Sequence, residues 1–129
     1  MQIEVHTRRP FGALEEDIGG WRVLRLSGEV GAGSSGLLPT LVVYAVRRGA
    51  QQVCLDLSDV ERLDRSGAEA LRRCTRAARY AGGRLVVIEP RDEDVAGVLA
   101  SSDVDVPQYP GREELPDPAR PGATRPRRR

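Results

Sequence analysis

Residues 53–90 constrain the fold more than any other part of the chain, because they contain the pattern of a strand, a turn, a helix and a second strand. VCLDL is apolar and β-branched, and the SDVERLDRSG that follows is polar with turn residues. Apolar residues recur at helical spacing in GAEALRRCTRAARYA, and Gly82 and Gly83 end that helix. The run LVVI is then a second strand, closed by Pro90. Two short strands joined by a helix should be parallel, with a right-handed crossover.

The helix of this unit has a predicted buried face and a predicted charged face. The expected buried positions are Ala68, Leu71, Cys74 or Thr75, and Ala78. The expected outward positions are Glu69, Arg72, Arg73, Arg76 and Arg79. This basic face is either a surface for an acidic partner or an ordinary solvated face.

The turn before the helix, Leu63-Asp64-Arg65-Ser66-Gly67, resembles the signature of the STAS domain family, which includes anti-sigma factor antagonists and sulfate transporters. In that family, Asp-Ser-Ser-Gly opens the helix, and a glycine pair precedes the next strand. Further positions agree with the pattern in order and spacing, and they are Asp56, Leu57, Val60, Leu71, Gly82, Gly83, Arg84, Leu85 and Pro90. The likeness extends more weakly from Trp21 to about Leu99.

The resemblance implies an α/β domain with a small mixed β-sheet of about four to five strands and helices packed on it. It also implies an anti-sigma factor antagonist that binds a serine-kinase anti-sigma factor and is switched by phosphorylation at Ser66. The partner-binding positions carried over from it are Asp64, Arg65, Ser66, Gly67, Glu69, Arg72 and Arg73.

Two positions depart from the family pattern. Arg65 stands where the family has the first serine of its pair, and Gly31 stands where it has an aspartate after the preceding strand. A STAS scaffold that is not phosphorylated is therefore an alternative function.

Ser66 also has a purely structural interpretation. Residues 66–69 read S-x-x-E, a capping box in which the serine hydroxyl and the glutamate each bond a free amide at a helix start. Such a cap contributes about 1 kcal/mol of stability and requires no function.

The loop after residue 30 contains Gly31, Gly33 and Gly36 in the spacing G-x-G-x-x-G, with Asp56 at the distance of a ribose-binding acid. A nucleotide-binding module is thus a third, weaker alternative. Two arginines in the preceding strand argue against it, and so does Ser34, which stands where a Walker A loop needs lysine. We expect instead a flexible loop in which Ser34 or Ser35 caps the next helix.

The sequence predicts one domain over residues 1–109, which includes the central unit, and a disordered, Pro- and Arg-rich tail over residues 110–129. Strands are expected at 2–8, paired antiparallel with 21–30, and at the sheet edge over 104–109. Helices are expected at 36–48 and 91–100, and a loop at 10–20.

Composition limits the function further. The chain has 129 residues and a formal net charge of +1, without a membrane-length apolar run or the apolar core of a signal peptide, so we expect a cytoplasmic protein that does not bind membranes. Cys54, Cys74 and His6 lack the spacing of metal ligands, and no pairing of nucleophile and base is evident. We therefore expect no enzyme activity, metal or cofactor, no direct nucleic-acid binding, and a monomer or weak dimer.

Overall fold

The computed structural model describes residues 9–118, which alternate between strands and helices in an α/β arrangement. In chain order the elements are β1 (Gly12–Ile18), β2 (Trp21–Val30), α1 (Leu37–Arg47), β3 (Gln52–Leu63), α2 (Arg65–Tyr80), β4 (Arg84–Ile88), α3 (Glu93–Ser101), β5 (Gln108–Tyr109) and a 3-10 turn (Arg112–Glu114).

The strands form one mixed sheet in the order β1-β2-β3-β4-β5. β1 is antiparallel to β2, and every other neighbouring pair is parallel. The predicted central unit is confirmed, since β3 and β4 are parallel with Cys54 opposite Val86 and are joined by α2. Gly82 ends α2 with φ +87°, and the Gly83 amide donates to the Ala78 carbonyl at 2.7 Å.

The loop predicted over residues 10–20 is wrong, because most of it forms the edge strand β1. The charged residues of this segment are typical of a loop, but in the structure they form ion pairs between β1 and β2. Arg22 of β2 donates to Glu15 at 2.7 Å and to Asp17 at 2.5 Å. The strand predicted at residues 2–8 lies outside the described residues.

β3 is longer than predicted, because it continues through the polar run to Leu63. The alignment of β3 with β2 shifts after Arg25 and again after Gly28, so the two strands stay paired to the end of β2. Val60 and Leu63 are buried in this extension and point into the core.

The core lies on both faces of the sheet. The three helices cover one face, where Leu38, Leu71 and Leu99 pack against strand residues such as Leu55. The predicted inward residues of α2 are buried. Alternate strand residues form a second apolar cluster on the opposite face, and they are Trp21, Val23, Cys54, Val86, Ile88 and Tyr109.

Residues 111–118, called the C-terminal strap below, cover this second cluster, so the prediction of disorder from residue 110 is wrong for them. The Trp21 indole nitrogen donates to the Pro116 carbonyl at 2.7 Å, and Leu115 packs against the cluster. Arg112 donates to the buried Asp56 carboxylate at 3.2 Å. Without the strap, the buried Asp56 carboxylate would lack its cation and the apolar cluster would be exposed to water. Both would be unfavourable, so both favour this packing. Residues 119–129 lie outside the described part.

Candidate functional site

The candidate site is the turn between β3 and α2, and Asp64 shapes it. Asp64 is the N-cap of α2, where its Oδ1 accepts a hydrogen bond from the Gly67 amide at 2.9 Å. The Asp64 amide donates to the Val30 carbonyl at 3.3 Å. One residue thus starts the helix and ties it to the end of β2.

Gly67 is buried at the closest approach of α2 to β2. A Cβ atom there would stand 2.1 Å from the Val30 carbonyl oxygen, so any side chain would force the helix away from the sheet. Gly67 therefore positions the turn and presents little surface of its own.

Ser66 occupies the second helical position and is exposed. The capping-box prediction is wrong, because Asp64 already serves as the cap and Ser66 lies inside the helix. A helix start leaves four amides without intrahelical partners. Here the Asp64 amide donates to the Val30 carbonyl and the Gly67 amide donates to the Asp64 carboxylate. The other two amides are those of Arg65 and Ser66. The hydroxyl thus lies at a helix end that favours negative charge.

Gly31, the family's aspartate position, lies directly beneath the Asp64 side chain. A Cβ atom on Gly31 would stand 2.5 Å from Asp64 Oδ2. The prediction that Ser34 or Ser35 caps α1 is wrong, since the N-cap is Gly36, with no side-chain cap. The Ser34 hydroxyl instead accepts from the Gly31 amide at 3.0 Å and so fixes the conformation of the loop over residues 31–34.

The other candidate residues extend from the turn along α2. Arg65 and Arg73 are exposed, and Arg73 donates to the Ser35 carbonyl at 3.4 Å. Glu69 is half-buried and pairs with Arg72 at 2.6 Å and with Arg76 at 3.4 Å. The helical spacing predicted that these residues face outward, but it did not predict that Glu69 is half-buried and paired with two arginines.

The family model described as "Mlab, STAS domain" matches residues 19–109. The chain belongs to the STAS domain family. No curated protein matches it in sequence.

Solved structures agree with this fold. An anti-sigma factor antagonist from Mycobacterium paratuberculosis is 24% identical with a TM-score of 0.61, covering 81% of this chain and 89% of its own. Unphosphorylated SpoIIAA, an anti-sigma factor antagonist, is 17% identical with a TM-score of 0.60, covering 80% and 92%. The phosphorylated form of SpoIIAA from Bacillus is 20% identical with a TM-score of 0.59, covering 86% and 100%.

The glycine loop of this STAS domain lacks the features of a nucleotide site. In a dinucleotide fingerprint the third glycine allows the helix to pack closely on the strand, but a Cβ atom on Gly36, the third glycine here, would meet nothing within 4 Å. Asp56, the candidate ribose acid, is buried and accepts from the Ser58 amide and hydroxyl and from Arg112. The loop therefore places Gly31 beside the Asp64 side chain of the turn.

The thiols of this STAS domain are buried. Burial raises the pKa of Cys54 to about 12, with a smaller contribution from the nearby Asp56 carboxylate, and burial also raises the pKa of Cys74 to about 12. Both are therefore protonated at neutral pH and poor nucleophiles. Within residues 9–118 no three His, Cys, Asp or Glu side chains are grouped to hold a metal, and no helix is long and apolar enough to span a membrane.

Proposed function

We propose that this protein is an anti-sigma factor antagonist, and that it binds a serine-kinase anti-sigma factor through the start of α2. Its STAS family membership and the antagonist role of the Mycobacterium and SpoIIAA proteins support this proposal. The observation that carries it is the position of Ser66, which is exposed at the second position of α2, beside two amides without intrahelical partners.

The proposed contact surface combines the turn with the adjoining face of α2. Arg65, Ser66 and Arg73 are exposed, and Glu69 and Arg72 are half-exposed beside them. Asp64 and Gly67 belong to the site because they hold this surface in place through the cap and the contact with β2.

Phosphorylation of Ser66 is the proposed switch. A phosphoserine carries close to two negative charges at neutral pH, and the helix start can accommodate them without unfolding. A partner that buries the turn would have to desolvate that charge beside Asp64, which is unfavourable unless it supplies cations. We therefore propose that phosphorylation releases the partner, as a change of surface and not of fold. Arg65 can pair with the phosphate and reduce the effect.

The test compares Ser66→Ala and Ser66→Asp for calorimetric binding to the cognate anti-sigma factor and for thermal stability. Ser101→Asp, at an exposed serine of α3, is the matched control for an added charge. We expect Ser66→Ala and Ser101→Asp to bind like the wild type and Ser66→Asp to bind more weakly while remaining folded. Equal binding by Ser66→Ala and Ser66→Asp would contradict the switch.

A STAS scaffold without a phosphorylation switch is the second candidate, and Gly31 favours it, because this chain lacks the family's aspartate beside the turn. Incubation with the cognate kinase and ATP, followed by intact-mass measurement, separates the two. One added phosphate that is absent from Ser66→Ala supports the switch, whereas partner binding without phosphate incorporation supports the scaffold. Either role fits a cytoplasmic monomer or weak dimer, which fractionation and sedimentation would test.

A further inference from the structure

A groove runs between the outer faces of α1 and α2, away from the Ser66 turn. It is lined by Val43, Tyr44, Arg47, Arg76, Ala77 and Tyr80. Tyr80 lies fourteen residues along α2 from Ser66, which is about 21 Å at the helical rise of 1.5 Å per residue. The groove therefore lies well away from Ser66, although its Arg76 pairs with Glu69 of the proposed contact surface.

The groove exposes two aromatic rings, those of Tyr80 and Tyr44, and the Arg48 guanidinium lies 5.3 Å from the centre of the Tyr44 ring. Tyr80 is 96% and Tyr44 60% exposed, and Tyr80 lines the groove together with Val43 and Ala77, whereas Tyr44 lines it together with Val43. Tyrosines beside a shallow apolar floor are typical of protein interfaces, since one end of the ring is apolar and the other can form hydrogen bonds.

The charge of the groove favours an acidic occupant. α1 contains no Asp or Glu, and residues 72–80 of α2 contain four arginines and no acid. A second copy of the chain would bring its arginines against these, and residues 119–129 of the same chain are also basic, with several arginines and no acid. Like charges in contact are unfavourable for both.

We propose that the α1–α2 groove binds an acidic amphipathic helix of a protein partner, independently of Ser66. Apolar residues one helical turn apart in that helix would pack on Val43 and Ala77 between the two tyrosines. Its Asp or Glu residues would pair with Arg47 at the rim, and with Arg76, whose present ion pair with Glu69 at 3.4 Å is exposed to solvent.

The probe is a short synthetic amphipathic helix with leucines on one face and glutamates on the other, titrated into the full-length 15N-labelled protein. We expect amide shifts confined to α1 and the second half of α2. Arg47→Glu and Tyr80→Ala should each weaken binding about tenfold. Arg91→Glu, which makes the same charge change at an exposed site outside the groove, and Ser66→Asp should bind like the wild type.

Several outcomes would overturn the proposal. Equal affinity for a matched peptide with lysines in place of glutamates would remove the charge argument. Shifts centred on Ser66, or loss of binding in Ser66→Asp, would mean that the two surfaces are one. Binding to phosphatidylglycerol vesicles without binding to the peptide would assign the groove to a lipid surface, and self-association that Tyr80→Ala abolishes would assign it to a second copy.

Discussion

Asp64 closes over Gly31, so that a Cβ atom at residue 31 would stand 2.5 Å from Asp64 Oδ2. The other carboxylate oxygen of Asp64 accepts from the Gly67 amide at 2.9 Å. The residue at position 31 and the cap of α2 are thus in contact in this chain, since a side chain at residue 31 would require the Asp64 carboxylate to shift from its present position.

We expect Gly31→Ala to lower the free energy of unfolding by about 1 kcal/mol, the typical cost of losing a helix N-cap. Urea unfolding would measure it. Gly33→Ala is the matched control, because its Cβ would meet nothing within 4 Å and its φ is not positive. That variant should be as stable as the wild type or slightly more stable. Equal losses in the two variants would contradict the contact.

Substitutions of Asp64 and of Ser66 should differ clearly in their effect on the free energy of unfolding. We expect Asp64→Ala to cost about 1 kcal/mol and Ser66→Ala less than about 0.5 kcal/mol, because only the Asp64 side chain caps α2. Asp64→Asn can still accept from the Gly67 amide and should retain most of the stability. A larger loss for Ser66→Ala than for Asp64→Ala would restore the capping-box interpretation.

Removing the C-terminal strap should destabilise the domain. A chain ending at Pro110 lacks Arg112, leaves the Asp56 carboxylate buried without its cation and uncovers Trp21. We expect a loss of roughly 3 kcal/mol and a red shift of the emission of Trp21, the single tryptophan. A chain ending at Pro118 retains these contacts and should unfold like the full-length protein. If the shorter chain is equally stable, the strap contributes nothing to folding.

The buried thiols give a prediction for high pH. Because burial raises the pKa of Cys54 and Cys74 to about 12 from an ordinary value near 9.0, the folded state holds these protons where the unfolded state releases them. Stability from these groups is complete below pH 9 and is lost as the pH rises towards 12. Urea unfolding should therefore show a falling free energy over that range. The loss should be smaller in Cys74→Ala after correction for its lower stability at pH 7, and identical slopes would contradict the argument.

Reactivity offers an independent check on the same thiols. At pH 8 the native protein should react slowly with a disulfide reagent, and both cysteines should react rapidly in urea, since the thiolate is the nucleophile. Prompt reaction of a native cysteine would mean that it is exposed or that its pKa is not raised.

The sequence by itself determined the elements whose pattern is local. The apolar runs VCLDL and LVVI, the helical spacing in α2 and the glycines after Tyr80 are short-range signals, and they placed the central strand-helix-strand unit of β3, α2 and β4 correctly. The motif around Ser66 also identified the STAS family, because several of its residues agree in order and spacing.

The tertiary structure decided everything that depends on residues distant in sequence. β1 and the strap carry charges and prolines that indicate a loop when considered alone, and they are ordered because Arg22 and Asp56 meet their partners across the sheet. The sequence pattern predicted Ser66 as the cap of α2, whereas the structure has Asp64. Asp64 is the cap because Val30 and Gly67 fix it against β2, and no local pattern contains that contact.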